Sequence, residues 1–521
     1  MADSAERYNS VLEIINERLI PDATAKKARG EVFTPLNLVR EMLFGVRKSA
    51  IDKDTTEIWG IDKEGNFFDD NENDRVGGIP LSIWRNPHTK WLDPANGIGN
   101  FPVVAFYMLD YQLGKHGPEE FKGDKHKLKR RNHIVEKMLY MIELDKGNVN
   151  TARKIFKKIA PGTTPKIICA NTLEMTDKTL NTAFNSVNSF DVVMGNPPFN
   201  PGILWAKFIE KFLDKTQILL FIVPSTFTSN QTGKSMIEAL IKNGLRYLKY
   251  LDVSDFEGVD LDMLYFHTDK KYKDSKLLIN NHTNVKYTES IINYKDKKEI
   301  SIFKKLKDLE HLVLYRGKNN TLAHKNPIET DNIKFKKNSE HPHKMISRLG
   351  GGNIEYYWVK TFEKEDSDTP KILFPRGTAS WNSFNNIIKF DKDLVFTTSV
   401  DKGAILSDGI MYTPMNSLDE FENYRFYLMR SKIVRFIFLR INHLAELTKF
   451  IFEYIPKIPV KSMGSDKDIY ESIKLTPEEI NYIDKLFKDL KPITKRKQNK
   501  TVKANKGGRR KPHRITRKIR R

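Results

Sequence analysis

Hydrophobic positions along this chain change their period several times, and each change marks a boundary. Tyr8, Val11, Leu12, Ile15 and Leu19 recur at helical spacing, and Leu36, Leu38, Val39, Met42 and Leu43 do so again after Pro35. A polar, turn-like stretch from Lys26 to Pro35 separates these two predicted helices. Residues 51–88 are acidic and rich in Gly and Asn, with no sustained period, which predicts an irregular insertion. From Lys90 the pattern becomes strand, glycine turn, helix: Trp91-Leu92, then Asp93 to Asn100, then an apolar helix over 101–113. A charged stretch at 114–132 precedes another helix and the strand Tyr140–Asp145. A helix at 147–158 and strands at Lys166–Ala170 and Phe190–Met194 continue the alternation. An amphipathic helix carrying Leu204, Trp205, Phe208, Ile209, Phe212 and Leu213 leads into the strand Gln217–Val223. Alternating strands and helices of this kind predict an α/β fold, a doubly wound and mostly parallel sheet covered on both faces.

That regularity ends near residue 255. The next segment is richer in Lys, Asn and aromatics, with short strand-like runs at Lys371–Phe374 and Leu394–Thr398, helices over 417–451 and a final helix over 477–490. The predicted organisation is a first domain at 1–255, a second, mixed α+β domain at 256–465, a helical segment at 466–495 and a basic disordered tail at 496–521. No internal repeat is present.

Composition narrows the setting. At 521 residues with 39% hydrophobic and 30% charged positions, the chain reads as a soluble globular protein of two or three domains. The apolar run Ile218–Val223 is far too short to span a bilayer, and the N-terminus carries no apolar signal-peptide core. The single cysteine, Cys169, excludes an internal disulfide and a cysteine-built zinc site, and it fits a reducing, intracellular setting. The formal charge of +22 favours a polyanionic partner, nucleic acid first. Fourteen of the lysines and arginines fall between Lys495 and Arg521, where there is no acid, so about +8 remains for the body.

Three places carry chemistry. Asp93-Pro94-Ala95-Asn96-Gly97-Ile98-Gly99 sits where a strand meets its helix, and glycines there let the backbone turn sharply and approach a ligand. An ordinary strand-to-helix turn is the alternative reading. Glu143 ends the next strand and is placed to accept from both hydroxyls of a ribose. It lies about 44 residues after Gly99 rather than the ~20 of a compact dinucleotide unit, and the charged insertion at 114–132 accounts for the excess. Asn196-Pro197-Pro198-Phe199 follows the strand Phe190–Met194 through Gly195. Two consecutive prolines remove two backbone donors and stiffen the turn, so an Asn side-chain oxygen and a neighbouring carbonyl can together accept both hydrogens of an amino group. Phe199 offers an aromatic face for a flipped base.

With these in place the chain resembles the adenine-specific N6 DNA methyltransferases whose cofactor motif precedes the catalytic motif and a C-terminal target-recognition domain. Gly30-Glu-Val-Phe-Thr34-Pro35 resembles the family's N-terminal motif, Asp93 to Gly99 its cofactor loop, Glu143 its ribose acid, and Asn196 to Phe199 its N-P-P-F/Y loop. Leu219–Ser225 resembles a later strand and turn, so the likeness covers roughly residues 25–255. It implies a Rossmann-like catalytic domain binding S-adenosyl-L-methionine through Thr34, Pro35, Asp93, Ala95, Gly97, Gly99, Glu143 and Asn171. It implies Asn196, Pro197, Pro198 and Phe199 as the catalytic set, with no metal.

Double-stranded DNA is the implied partner, a cognate restriction endonuclease is compatible with it, and the oligomeric state is left open. Three departures stand out: Asn96 and Ile98 in the cofactor loop, and Asn171 where the family usually has an acid for the cofactor's adenine. In the second domain, Tyr356, Tyr357, Trp358, Lys371, Arg376, Trp381 and Phe384 mix bases and aromatics as a DNA-reading surface would, and core or solvated surface is the competing reading for each. The tail from Gly507 either contacts phosphate, serves in nuclear targeting, or is simply solvated. Three other functions stay open: methylation of a protein glutamine amide, a fused endonuclease, and an inactive DNA-binding relative.

Overall fold

In the computed structural model the described residues run from 34 to 489. They exclude short internal stretches, chiefly 200–203, 229–230, 252–262, 320–328, 363–370, 376–395, 399–404 and 442–448. The helix expected around Tyr8–Leu19 and the basic tail lie outside them. Helix α1 (Leu36–Phe44) begins directly after Pro35 and buries Leu38, Val39, Met42, Leu43 and Phe44. The segment expected to be an irregular insertion is held together by a short antiparallel pair, β1 (Val46–Arg47) with β2 (Arg75–Val76). Trp59, Ile79 and Trp84 anchor it in the core.

The main body alternates β3 (Trp91–Asp93), α2 (Asn100–His116), α3 (Lys127–His133), β4 (Leu139–Glu143), α4 (Lys146–Ile159), β5 (Lys166–Cys169), α5 (Asp177–Ala183), β6 (Phe190–Gly195), α6 (Leu204–Phe212), β7 (Thr216–Pro224), α7 (Gln231–Lys242) and β8 (Leu245–Tyr250). Then come β9 (Met263–Asp269), β10 (Lys276–Ile279) and β11 (Thr283–Lys286). These strands form one sheet in the order β11-β10-β8-β9-β7-β6-β3-β4-β5. Its half from β7 to β5 is parallel throughout. Strand β9 slots between β7 and β8 antiparallel to both.

The doubly wound, mostly parallel α/β sheet expected from the sequence is therefore present, and it runs past residue 255 to take in β9, β10 and β11. The sheet is two-sided, which explains why its central strands read as continuous apolar runs rather than alternating ones: Ile218 to Val223 are all fully buried.

Beyond it, α8 (Lys297–Lys307) leads into a mixed α+β part. One four-stranded sheet joins β12 (Tyr315–Arg316), β16 (Lys371–Pro375), β17 (Phe396–Thr398) and β19 (Ile410–Pro414). A second joins β13 (Ile333–Lys334), β14 (His343–Gly350), β15 (Asn353–Val359) and β18 (Ile405–Leu406). The described chain closes on four longer helices, α9 (Leu418–Arg430), α10 (Lys432–Ile441), α11 (Asp466–Ile473) and α12 (Pro477–Leu486), with a single turn at Lys449–Phe452 between the second and third. Helix α12 starts with a capping box, Thr476 and Glu479 exchanging side-chain-to-backbone hydrogen bonds around Pro477. Its neighbours are fixed by buried charge: Arg440 of α10 donates to Glu299 of α8 at 2.8 Å, and Tyr482 of α12 donates to the same oxygen at 2.5 Å.

Candidate functional site

Strands β3 and β6 lie side by side and parallel, Trp91 opposite Val192 and Leu92 opposite Val193. The chain builds the sheet one way through β4 and β5 and the other way through β6 and β7. The carboxyl ends of β3 and β6 therefore flank the switch point at which open α/β sheets hold ligands. Asp93 ends β3 and Gly195 ends β6. Asp93 is 1% exposed, and its Oδ1 accepts the Ala95 N–H at 3.1 Å. Burial pushes its carboxyl well above the usual carboxylate range; the Ala95 hydrogen bond opposes this, and the charge of Glu143 adds to it.

The turn after β3 is pinned from outside. The Asn96 N–H donates to the Ile142 carbonyl on β4 at 3.0 Å, and the Gly97 N–H donates to Glu143 Oε2 at 2.7 Å. Gly97 (φ 54°) and Gly99 (φ 103°) take left-handed backbone, which the turn into α2 requires. Glu143 Oε1 accepts the Asp145 N–H at 2.8 Å. A backbone donor thus orients each carboxylate oxygen. Asn96 and Asn100 are each 5% exposed, and among the described residues neither side-chain oxygen has a hydrogen-bond partner.

Thr34 and Pro35 join this cluster. Thr34 is buried, and its carbonyl accepts from Asn100 Nδ2 at 2.8 Å, so the start of α1 is tied to the start of α2. Sequence reasoning missed Asn100, although an Asn opening an otherwise apolar helix is a visible anomaly. The preceding motif residues, Gly30 to Phe33, lie outside the described residues.

Asn171 is placed near the end of β5, but its amide is engaged in its own loop. Its Oδ1 accepts the Leu173 N–H at 3.1 Å and its Nδ2 donates to Glu174 at 2.7 Å. It is the N-cap of a short turn, and the next residue, Thr172, donates to the Pro94 carbonyl at 2.5 Å. Thr172 therefore joins β5's loop to the β3 turn, a link the sequence reading did not anticipate.

Asn196-Pro197-Pro198-Phe199 leaves β6 across the switch point from Asp93. Asn196 and Pro198 are half-buried and Pro197 is buried. The side-chain oxygen of Asn196 is shielded from solvent. Phe199 is only 7% exposed and packs within the main hydrophobic core, so its ring does not present an open face in this state.

Of the residues expected to read DNA, Arg376, Trp381 and Phe384 lie outside the described residues. Register sets Lys334, Trp358 and Lys344 in a row across β13, β15 and β14. Lys344 Nζ stands 3.7 Å from the Tyr356 ring centroid, and Lys337 Nζ stands 5.3 Å from that of Trp358. Tyr356 is exposed, whereas Tyr357 points to the opposite face and packs on the Met345–Val359 cluster. Lys371 is buried beside Tyr412. Among the described residues no group of three or more His, Cys, Asp or Glu converges as a metal site would require. No described helix is long and apolar enough to cross a membrane.

No protein-family model matches the chain. No curated protein matches it either. Solved structures do. A Listeria monocytogenes protein assigned to the class I S-adenosylmethionine-dependent methyltransferases is similar at 15% identity and TM-score 0.28, over 38% of this chain and 60% of its own. The type IIL restriction-modification enzyme MmeI, in complex with DNA, is similar at 13% identity and TM-score 0.43, over 78% of this chain and 72% of its own. The ATP-dependent type ISP restriction-modification enzyme LlaBIII, bound to DNA, is similar at 11% identity and TM-score 0.47, over 91% of this chain and 41% of its own. The chain thus spans less than two thirds of the length of the first and third of these. Identity is low in all of them, and the chemistry of this chain rests on its own residues.

Proposed function

We propose that this chain is an S-adenosylmethionine-dependent methyltransferase that modifies the N6 amine of adenine in double-stranded DNA after the base leaves the helix. The observation that supports it most is one juxtaposition. The glycine turn at Asp93–Gly99, the oriented carboxylate of Glu143 and the Asn196–Phe199 loop all converge on the switch point between β3 and β6.

The residues fit the cofactor. Backbone donors hold the Glu143 carboxylate at the end of β4, a group suited to ribose hydroxyls, the left-handed Gly97 and Gly99 allow close backbone approach, and the buried oxygens of Asn96 and Asn100 are acceptors lacking a donor among the described residues. When bound, S-adenosylmethionine supplies an electrophilic methyl group. Asn196 Oδ1 and the Pro197 carbonyl accept the two hydrogens of the target amine, which localises the nitrogen lone pair and aims it along the line of transfer. Positioning and hydrogen-bond electrostatics are then the whole of this chain's contribution. Phe199 stacks on the extruded base once the packing that covers its ring gives way.

The test is a substrate comparison with the full chain. Duplex DNA of mixed sequence and a glutamine-containing polypeptide are each incubated with cofactor carrying an isotopically labelled methyl group, and products are resolved by mass spectrometry. Label on adenine N6 is the expected result. Label on glutamine would transfer the site to protein substrates, and cofactor binding with no transfer to either would mark an inactive relative.

A further inference from the structure

At the far end of α1 from Thr34 lies a recess that the methyl-transfer reading does not use. Its volume is about 200 Å³, and it is lined by Arg75, Arg246, Glu72, Gly77, Gly78 and Pro80 among others. Helix α1 has 9 residues, so at the ordinary helical rise this recess stands roughly 14 Å along the helix from the candidate active site.

The arginines are arranged unusually. Arg75 donates from Nε to the Phe44 carbonyl and from one terminal nitrogen to the Ile79 carbonyl, both at 2.6 Å, and its guanidinium lies 4.8 Å from the Trp59 ring centroid. These contacts fix the plane of the fork and leave its remaining N–H groups without a described acceptor. Among the described residues no carboxylate lies within ion-pair distance of Arg75. Arg246, on β8, lies 4.0 Å from Asp269 and 5.7 Å from the Tyr272 ring centroid. Glu72, the acid on the rim, is paired with Arg85 at 2.9 Å.

Two guanidinium groups therefore line one cavity, Arg75 with no ion-pair partner among the described residues and Arg246 with Asp269 at the limit of ion-pair distance. Burial, and then the charge of Arg246, push Arg75 down to about 9. The same positive field reaches His267, which is buried with neither ring nitrogen partnered among the described residues. Burial first, then Arg246 and Arg75, push its imidazole well below the usual histidine range.

The floor is built to hold this geometry. Gly77 and Gly78 both take left-handed backbone, and a Cβ on Gly78 would fall 2.4 Å from the Phe44 carbonyl and 2.5 Å from the Arg75 guanidinium. Only glycine lets the chain pass under a fork so placed.

We propose that this recess binds a small tetrahedral oxyanion, a free phosphate or the terminal phosphate of a small metabolite, held by the forks of Arg75 and Arg246. The half-buried guanidinium groups sit in a cavity of small-molecule size, which suits a compact phosphate rather than the backbone of a duplex. Planar forks match phosphate geometry where a point charge does not.

Titration of the full chain with inorganic phosphate tests this, against sodium chloride at matched ionic strength, by calorimetry and by thermal unfolding. Wild type shows saturable binding and a rise in melting temperature specific to phosphate. Arg246→Gln weakens binding at least ~10-fold and Arg246→Lys does so less, because charge is kept while the fork is lost. Lys137→Gln, on an exposed surface elsewhere, leaves it unchanged. Absence of saturable binding in wild type, or equal binding in Arg246→Gln, overturns the proposal. Stoichiometric displacement of phosphate by duplex DNA also overturns it, since the recess would then belong to the DNA-binding surface. None of these readouts depends on methyl transfer.

Discussion

A Cβ placed on Gly195 would lie 2.8 Å from Asp93 Oδ1, so the ends of β6 and β3 approach as closely as a residue without a side chain permits. That contact couples the turn after β3 to the loop that begins at Asn196. Gly195 also has φ 156°, a backbone that side chains rarely adopt. Gly195→Ala should therefore destabilise the fold by about 1–3 kcal/mol, the range for overpacking a site that cannot yield. Chemical denaturation measures it. Adding Asp93→Ala to the first change should restore part of the loss, whereas purely additive effects would show that the two ends do not press on each other.

The buried Asp93 carboxyl gives a pH dependence of predictable sign. Its folded pKa is raised, so the native state holds this proton more tightly than the unfolded chain does. Its contribution to stability is therefore most favourable at low pH and is lost as pH rises from about 4, the ordinary carboxylate value, through the raised native value. Asp93→Asn can keep an oxygen for the Ala95 N–H and cannot ionise. Its stability relative to wild type should climb across that window, as read by denaturation at a series of pH values. A difference that stays flat with pH would mean that Asp93 is not titrating in the native protein.

The candidate site was legible where chemistry forces residue types into a short span. The glycine turn, Glu143 at a strand end and the double proline after Gly195 each have a local physical reason, and all three meet at one edge of the sheet. What was hidden depends on contacts distant in sequence. Nothing local in Met263–Asp269 says that it will slot antiparallel between β7 and β8, because that placement is set by register against Leu220 and Leu248. The link from Asn100 to Thr34 spans 66 residues and is equally silent. Asn171 is different: Asn171-Thr-Leu-Glu174 has the form of a capping sequence, and the structure uses it as one. The burial of Phe199 could not be read from its motif, since the same four residues would serve with the ring covered or open.

Glu143 has two tasks that separate experimentally. Its carboxylate fixes Gly97 and Asp145 in the free protein and, on the function proposed, accepts from the cofactor's ribose. Glu143→Ala should weaken S-adenosylmethionine binding by about 1.5–3 kcal/mol, the worth of charged hydrogen bonds. Glu143→Gln keeps one acceptor oxygen and should lose less. Calorimetry gives both affinities, and circular dichroism checks that the variants are folded. Unchanged affinity in a folded Glu143→Ala protein would remove this residue from the cofactor site.

The last prediction separates chemistry from capture of the base. On the function proposed, Asn196 supplies one acceptor for the target amine and lies outside the turn that would hold the cofactor, so Asn196→Ala should leave cofactor and DNA affinity within a few-fold of wild type. Methyl transfer should fall by at least ~10², the scale for losing one aligned polar contact in a transition state. Phe199 sits in the core at 7% exposure, so Phe199→Ala carries two effects at once. It should lower stability by the ~3–5 kcal/mol typical of deleting a buried aromatic ring. It should also lose ~1–3 kcal/mol of stacking on the base.

Unfolding in the absence of DNA reports the first effect alone. A fluorescent adenine analogue at the target position reports the second, its signal being retained in Asn196→Ala and diminished in folded Phe199→Ala. Because the ring is covered in the free protein, Phe199→Leu should recover most of the stability and little of the stacking, which tells the two roles apart. Near-normal turnover by Asn196→Ala would sink the proposed mechanism, because the acceptor it assigns to Asn196 would then not be needed for transfer.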